Sequence, residues 1–202
     1  HAIGDLANHT VLNAIERLRD YENSEGIHPL PHRIEHVQLI DPADVPRLAE
    51  LHITASMQPI HATSDMEMAE KYWGERTSYA YAPIHQLKAG ALVAFGSDAP
   101  VESPNPWWGI HAAVTRRRSD GSPGPDGWHP EGRLTLQQAL EGFTTNPAQT
   151  AVRGEIQGKI APGYFADLIV LDADPFNQIP DELPEVIPAG TMLNGNWVHQ
   201  DF

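Results

Sequence analysis

Apolar residues recur along this chain at two spacings, and their alternation sets the first expectations. Val11, Leu12, Ile15 and Leu18 fall at helical intervals, which predicts a helix over residues 8–22. Gly26, Pro29 and Pro31 break it. Arg33-Ile34-Glu35-His36-Val37 reads as a short strand. Asp41-Pro42 opens a second helix, with Asp as N-cap and Pro in the first turn, that runs to about Leu51. Ile53 to Met57 reads as a strand, and residues 75–89 as a helix closed by Gly90. The run Ala91-Leu92-Val93-Ala94-Phe95-Gly96 is almost wholly apolar. That marks a strand buried on both faces, as in parallel sheets covered by helices.

Helix and strand thus alternate from residue 5 to 97. The expected class is α/β, either a (β/α)8 barrel or an open doubly wound sheet. Residues 119–133 form a Gly/Pro-rich loop, long for a connection inside a compact unit and so functional or mobile. Thr135 to Gln138 gives a capping box, and Asn146-Pro147 starts another helical turn. After Gly154 the texture changes to short strands, at Gly158–Ile160, Asp167–Leu171, Met192-Leu193 and Trp197-Val198. The expected organisation is an α/β unit over 1–154 and a small β segment over 155–202.

Composition narrows the partners. The 202 residues carry 27 acidic and 13 basic side chains, a net charge of −14. Such a surface repels nucleic acid and anionic membrane, so neither is expected to bind. No apolar run approaches the roughly 20 residues that span a bilayer. Cysteine is absent, which excludes disulfides and thiolate metal sites and leaves the compartment open, with the cytoplasm favoured. The chain begins at His1, inside what reads as a functional segment, so the N-terminus is taken as a truncation with the true start unseen.

Three polar residues stand where a parallel barrel places its chemistry, at the C-terminal ends of strands. His36 ends one strand, Asp98 follows the buried strand 91–96, and His1 immediately precedes a turn and a helix. Two imidazoles and a carboxylate suit a divalent cation such as zinc. Such an ion lowers the pKa of bound water, and a carboxylate can take the proton. Each residue also has a plain structural reading: His36 as a core or capping histidine, Asp98 as a turn residue, His1 as an incidental terminus. A doubly wound binding domain is disfavoured, because no Gly-rich phosphate loop follows a strand. Trp107-Trp108 reads as packing of the loop after strand 91–96 against neighbouring helices, with a pocket wall as the alternative. Arg116-Arg117-Arg118 reads as a solvated helix end, and His111 as a residue on a helix face.

Longer motifs point further. His1-Ala2-Ile3-Gly4-Asp5, Arg33-Ile34-Glu35-His36, Ser56-Met57-Gln58-Pro59-Ile60-His61-Ala62-Thr63-Ser64-Asp65 and Phe95-Gly96-Ser97-Asp98-Ala99-Pro100-Val101-Glu102 occur in that order. Gly158-Lys159-Ile160-Ala161-Pro162-Gly163-Tyr164-Phe165-Ala166-Asp167-Leu168-Ile169-Val170-Leu171-Asp172 closes the series. Together they resemble the YtcJ-like amidohydrolase-3 group of the amidohydrolase superfamily, metal-dependent hydrolases, over nearly the whole chain.

The resemblance implies the C-terminal half of a (β/α)8 TIM-type barrel, strands 6–8 with flanking helices, plus the C-terminal part of a small β-sandwich. It implies His1 and His36 as metal ligands. Asp98 becomes both metal ligand and general base, deprotonating water and passing the proton to a leaving amine. His61 becomes a contact for a small-molecule substrate or its developing oxyanion. The implied cofactor is a divalent metal, zinc by preference, and the implied reaction is hydrolysis of an amide or other C–N bond. Two departures stand out. The family's first-strand His-x-His pair and its fourth-strand carboxylated lysine or glutamate have no counterpart here and would lie upstream of His1. Ala82-Pro83-Ile84-His85 replaces the aromatic-Arg pair expected after Ala80-Tyr81. The alternative is an incompetent half-barrel fragment that lacks a complete metal site. In either case self-association, or pairing with the missing N-terminal half, is expected from the raw sheet edges.

Overall fold

The computed structural model describes residues 1–202. Helix α1 (Asp5–Glu25) ends at Gly26, whose left-handed backbone (φ 66°) returns its N–H to the last turn. Strand β1 (His32–Glu35) follows. The helix expected from Asp41 is split: a 3-10 turn Pro42–Asp44, capped by the Asp41 side chain, is separated from α2 (Arg47–Glu50) by Pro46. A proline inside a helix lacks the N–H that would continue the ladder. Strand β2 (Ile53–Met57) leads through Gln58 into α3 (Pro59–Trp73), a helix that the apolar spacing does not announce. The helix predicted over 75–89 is also two pieces, a 3-10 turn Gly74–Tyr79 and α4 (Pro83–Lys88). Tyr81 between them adopts φ 48°, and Pro83 restarts the helix.

Strand β3 (Val93–Phe95) completes a three-stranded parallel sheet in the order β1-β2-β3. Ile34 pairs with Ala55, and Ala55 with Val93, so the strands end level with one another. Ala2 extends this sheet beyond β1: its N–H donates to the Glu35 carbonyl at 3.1 Å, in a parallel bridge to His36. The sheet is therefore α/β, with its core built from Ile34, Ile53, Ala55, Met57 and Val93 under α1, α4 and α5 (Pro106–Thr115). Helix α5 starts at Asn105, whose side chain caps Trp107, and α6 (Leu136–Phe143) carries the complete Thr135–Gln138 capping box. Helix α7 (Thr145–Thr150) follows. Trp107 is buried in the core, whereas Trp108 remains half exposed.

Arg116 corrects the expectation of a solvated helix end. It is among the most completely buried side chains, donating from Nε to the Trp128 carbonyl at 2.9 Å and from Nη1 to the Tyr81 carbonyl, with its guanidinium over the Trp128 ring. Burial lowers its pKa to about 10, so it stays charged at neutral pH. It thereby pins the 119–133 loop to the body of the fold. The Trp128 indole N–H donates to Glu70 at 2.7 Å and holds the loop a second time.

The chain beyond Gly154 contains β4 (Leu168–Val170), β5 (Gly190–Leu193) and β6 (Asn196–Gln200), an antiparallel sheet in that order. No strand forms at Gly158–Ile160, where Gly158 takes φ 89° in a turn. A 3-10 segment, Pro180–Glu185, leaves this sheet and packs on α5, placing Leu183 (1% exposed) in the main core. No helix is long and apolar enough to cross a membrane.

Candidate metal centre

The level ends of the parallel strands bring four motifs together. His36 is the first residue past β1, and its N–H donates to the Ser56 carbonyl at 2.8 Å. Gly96, past β3, donates to the Met57 carbonyl at 3.2 Å. The backbone then turns sharply at two of the site residues: His36 has φ 80° and Asp98 φ 59°. Left-handed backbone is uncommon for residues with a Cβ and costs on the order of 1–2 kcal/mol. Here it accompanies the convergence of side chains from the ends of β1 and β3 on one point. His61 arrives from the first turn of α3, where its backbone N–H donates to the Gln58 carbonyl at 3.1 Å.

His36, His61 and Asp98 offer ligand atoms that all lie within 4.8 Å of one another. His61 Nε2 stands 3.4 Å from Asp98 Oδ2. His1 joins this group at His36, with its Nδ1 2.9 Å from His36 Nε2. His61 is buried, while Asp98 keeps 37% of its side chain exposed, so the carboxylate faces both the cluster and solvent. His61, expected only as a substrate contact, thus lies within the cluster itself.

The donor set can be tested against a cation. Two nitrogens bound to one tetrahedral zinc at about 2.0–2.1 Å would lie about 3.3 Å apart. The two imidazole nitrogens of His1 and His36, 2.9 Å apart, lie near that value, and the Asp98 carboxylate stands within 4.8 Å of His36. Imidazole nitrogens and a carboxylate oxygen, with no thiolate, suit a borderline divalent ion. The residues present fit such an ion.

The sequence reading missed the groups behind the cluster. Gln58 Oε1 lies 3.0 Å from His36 Nδ1, on the side away from His1. Glu102 stands 3.8 Å from His61 Nδ1 and accepts a hydrogen bond from Ser64 at 2.5 Å. Both lie inside the motifs named above, Gln58 directly after β2 and Glu102 in the loop beyond β3, but neither residue type at its position points to a role by itself. Glu102 and Ser64 also line a cavity of about 230 Å³ between α3 and α5, with Trp108, His111 and Arg117 on its walls. Burial lowers the pKa of His111, with the Asp181 carboxylate partly opposing it. On the other side of α3, burial and then the Asp65 carboxylate, 2.9 Å from the hydroxyl, raise the Tyr81 phenol above the ordinary tyrosine value.

Comparison with known proteins places this geometry in context. The chain is 35% identical over 201 residues to YtcJ of Bacillus subtilis, covering 99% of this chain and 37% of that protein. It is 34% identical to the protein Long After Far-Red 3 of Arabidopsis thaliana, over 98% of this chain and 33% of the other. It is 30% identical to N-substituted formamide deformylase of Arthrobacter pascens, over 96% of this chain and 35% of the enzyme. A metal-dependent hydrolase from Pyrococcus horikoshii superposes with a TM-score of 0.73 at 30% identity, over 90% of this chain and 34% of that one. The chain therefore spans about a third of the length of the relatives it matches. The sequence profile of the amidohydrolase family matches residues 1–199, and the chain belongs to that family.

Proposed function

We propose that this chain is the C-terminal part of a metal-dependent hydrolase that cleaves an amide or other C–N bond with activated water. The observation that carries the reading is the convergence of His36, His61 and Asp98 at the C-terminal ends of parallel strands. In this reading the sheet is the second half of a (β/α)8 barrel, with His1 at the end of its fifth strand. Residues 155–202 are the C-terminal part of a small β-sandwich. The activity for which one relative is named, deformylation of an N-substituted formamide, supports the bond class.

His1, His36 and Asp98 would hold a divalent cation, zinc by its donor chemistry. When bound, such a cation lowers the pKa of water and polarises a carbonyl. Asp98 supplies the base. Its partly exposed carboxylate can accept a proton from water and release it to a departing amine. His61 is buried with Nε2 3.4 Å from Asp98, and an Nε2–H there can donate to that carboxylate at rest or to a developing oxyanion beside it.

Elemental analysis of the purified chain tests this. One equivalent of zinc per chain is expected, lost in H36A. No metal in the unsubstituted chain, supplied with zinc in excess, would sink the assignment.

A second reading is favoured by the sheet itself. Strand β3 has no partner on its outer edge, and Ala2 makes a single bridge at the other. Open parallel edges call for another chain. In that case the isolated chain self-associates, or pairs with the polypeptide that precedes it in longer relatives, and gains activity only on pairing. Sedimentation of the chain alone distinguishes this, because a monomeric, active chain contradicts it.

A further inference from the structure

We infer that Gln58 is a positioning residue for His36, fixing the imidazole as its Nδ1–H tautomer so that the Nε2 lone pair points into the cluster. This rests on the reading of the cluster as a metal centre. It goes beyond that reading by giving a role to a residue that touches no ion.

The argument begins with the amide. Gln58 is buried, 8% exposed, and stands at the N-cap position of α3 immediately after β2, its side chain turned away from the helix's own N–H groups. Its Nε2 lies 3.5 Å from the Ser56 carbonyl, an acceptor only, so the NH2 group belongs on that side. The opposite end, Oε1, then faces His36 Nδ1 at 3.0 Å. A carbonyl oxygen accepts and cannot donate. The nitrogen facing it must therefore carry the hydrogen. That leaves Nε2, the nitrogen 2.9 Å from His1 Nδ1, with its lone pair free for a cation.

The backbone holds both partners in place. The Ser56 carbonyl that steadies Gln58 also accepts the His36 N–H at 2.8 Å, so one peptide group anchors the amide and the imidazole. Histidine ligands gain orientation and basicity from an acceptor on their other nitrogen. The acceptor here is a neutral amide, which sets the tautomer without adding charge to the site. Glu102 does not do the same for His61, since at 3.8 Å it stands outside hydrogen-bond reach.

Nitrogen-15 NMR of the histidine-labelled, metal-free chain reads the tautomer directly, and competition with a chromophoric chelator reads zinc affinity. The unsubstituted chain is expected to show His36 as Nδ1–H. Q58L should lose that preference and bind zinc about 10–100-fold more weakly. Q58E, which keeps an acceptor, should restore both. An Nε2–H tautomer in the unsubstituted chain overturns the inference, as does a folded Q58L that binds zinc as tightly as the parent. If Q58L does not fold, Q58E decides: retention of Nδ1–H supports the role, and its loss overturns it. A chain that shows Nδ1–H at His36 but takes up no zinc removes the metal reading and leaves the tautomer-setting role standing.

Discussion

Val152 follows α7 at φ 58° with its side chain 75% exposed. A β-branched residue in left-handed backbone is strained, and here no burial offsets the cost. Its position just past the helix is one where glycine is preferred. V152G is expected to stabilise the chain by about 0.5–1 kcal/mol, the strain relieved less the entropy that glycine adds to the unfolded chain. Urea unfolding measures it, and a destabilised V152G would show that the strain is not there. The same backbone region at His36 and Asp98 is a different case, because there it aims side chains into the cluster. Asp98 and His36 were legible from the sequence because each follows a recognisable strand. Gln58 was not, since an amide next to a strand carries no signal until its neighbour is known to be an imidazole.

Among the elements, the strands of the parallel sheet were read more accurately than the helices between them. Ile53–Met57 was located to the residue and the buried run 91–96 holds the shorter β3 within it, because local apolar content marks a strand before its neighbours are known. Helix α3 was missed because its buried face is made of small and polar residues: Ala62, Thr63, Ala69 and His61 are all buried there. Pro59 at its first position was the available cue. Close helix–sheet approach is equally invisible in a hydrophobic pattern. Gly142 of α6 lies against β3 so tightly that an added Cβ would fall 2.2 Å from Phe95 Cδ2. G142A is therefore expected to cost about 1–3 kcal/mol by overpacking. Because Phe95 ends the strand that leads to Asp98, the variant should also weaken zinc binding, unlike V152G. A G142A chain with unchanged unfolding midpoint and zinc affinity would contradict this packing.

At the scale of the whole molecule, the two parts of the chain meet at α5. His111 lies on the buried face of this helix, 3.6 Å from Asp181 of the 3-10 segment, and Arg117 pairs with the same carboxylate. Burial holds the His111 pKa below its unfolded value, so the unfolded chain binds the proton first. Stability is thus unaffected above the ordinary histidine value of about 6.5 and falls as pH drops below it toward the lowered value. H111Q should lose this part of the acid dependence, which shows as a smaller drop in unfolding free energy between about pH 7 and 5. Equal drops in the two chains would mean that His111 gains its proton as easily folded as unfolded.

Leu183 carries a consequence for how this polypeptide can be divided. It fills the main core from a segment nearly thirty residues beyond the change of texture at Gly154, roughly the length of a supersecondary unit. A cut at that boundary would leave the preceding residues with an unplugged hole against α5 instead of a finished surface. Proteolytic nicking in the exposed stretch around Ile160 should therefore yield two pieces that remain together, and a gene shortened to end there should give an insoluble product.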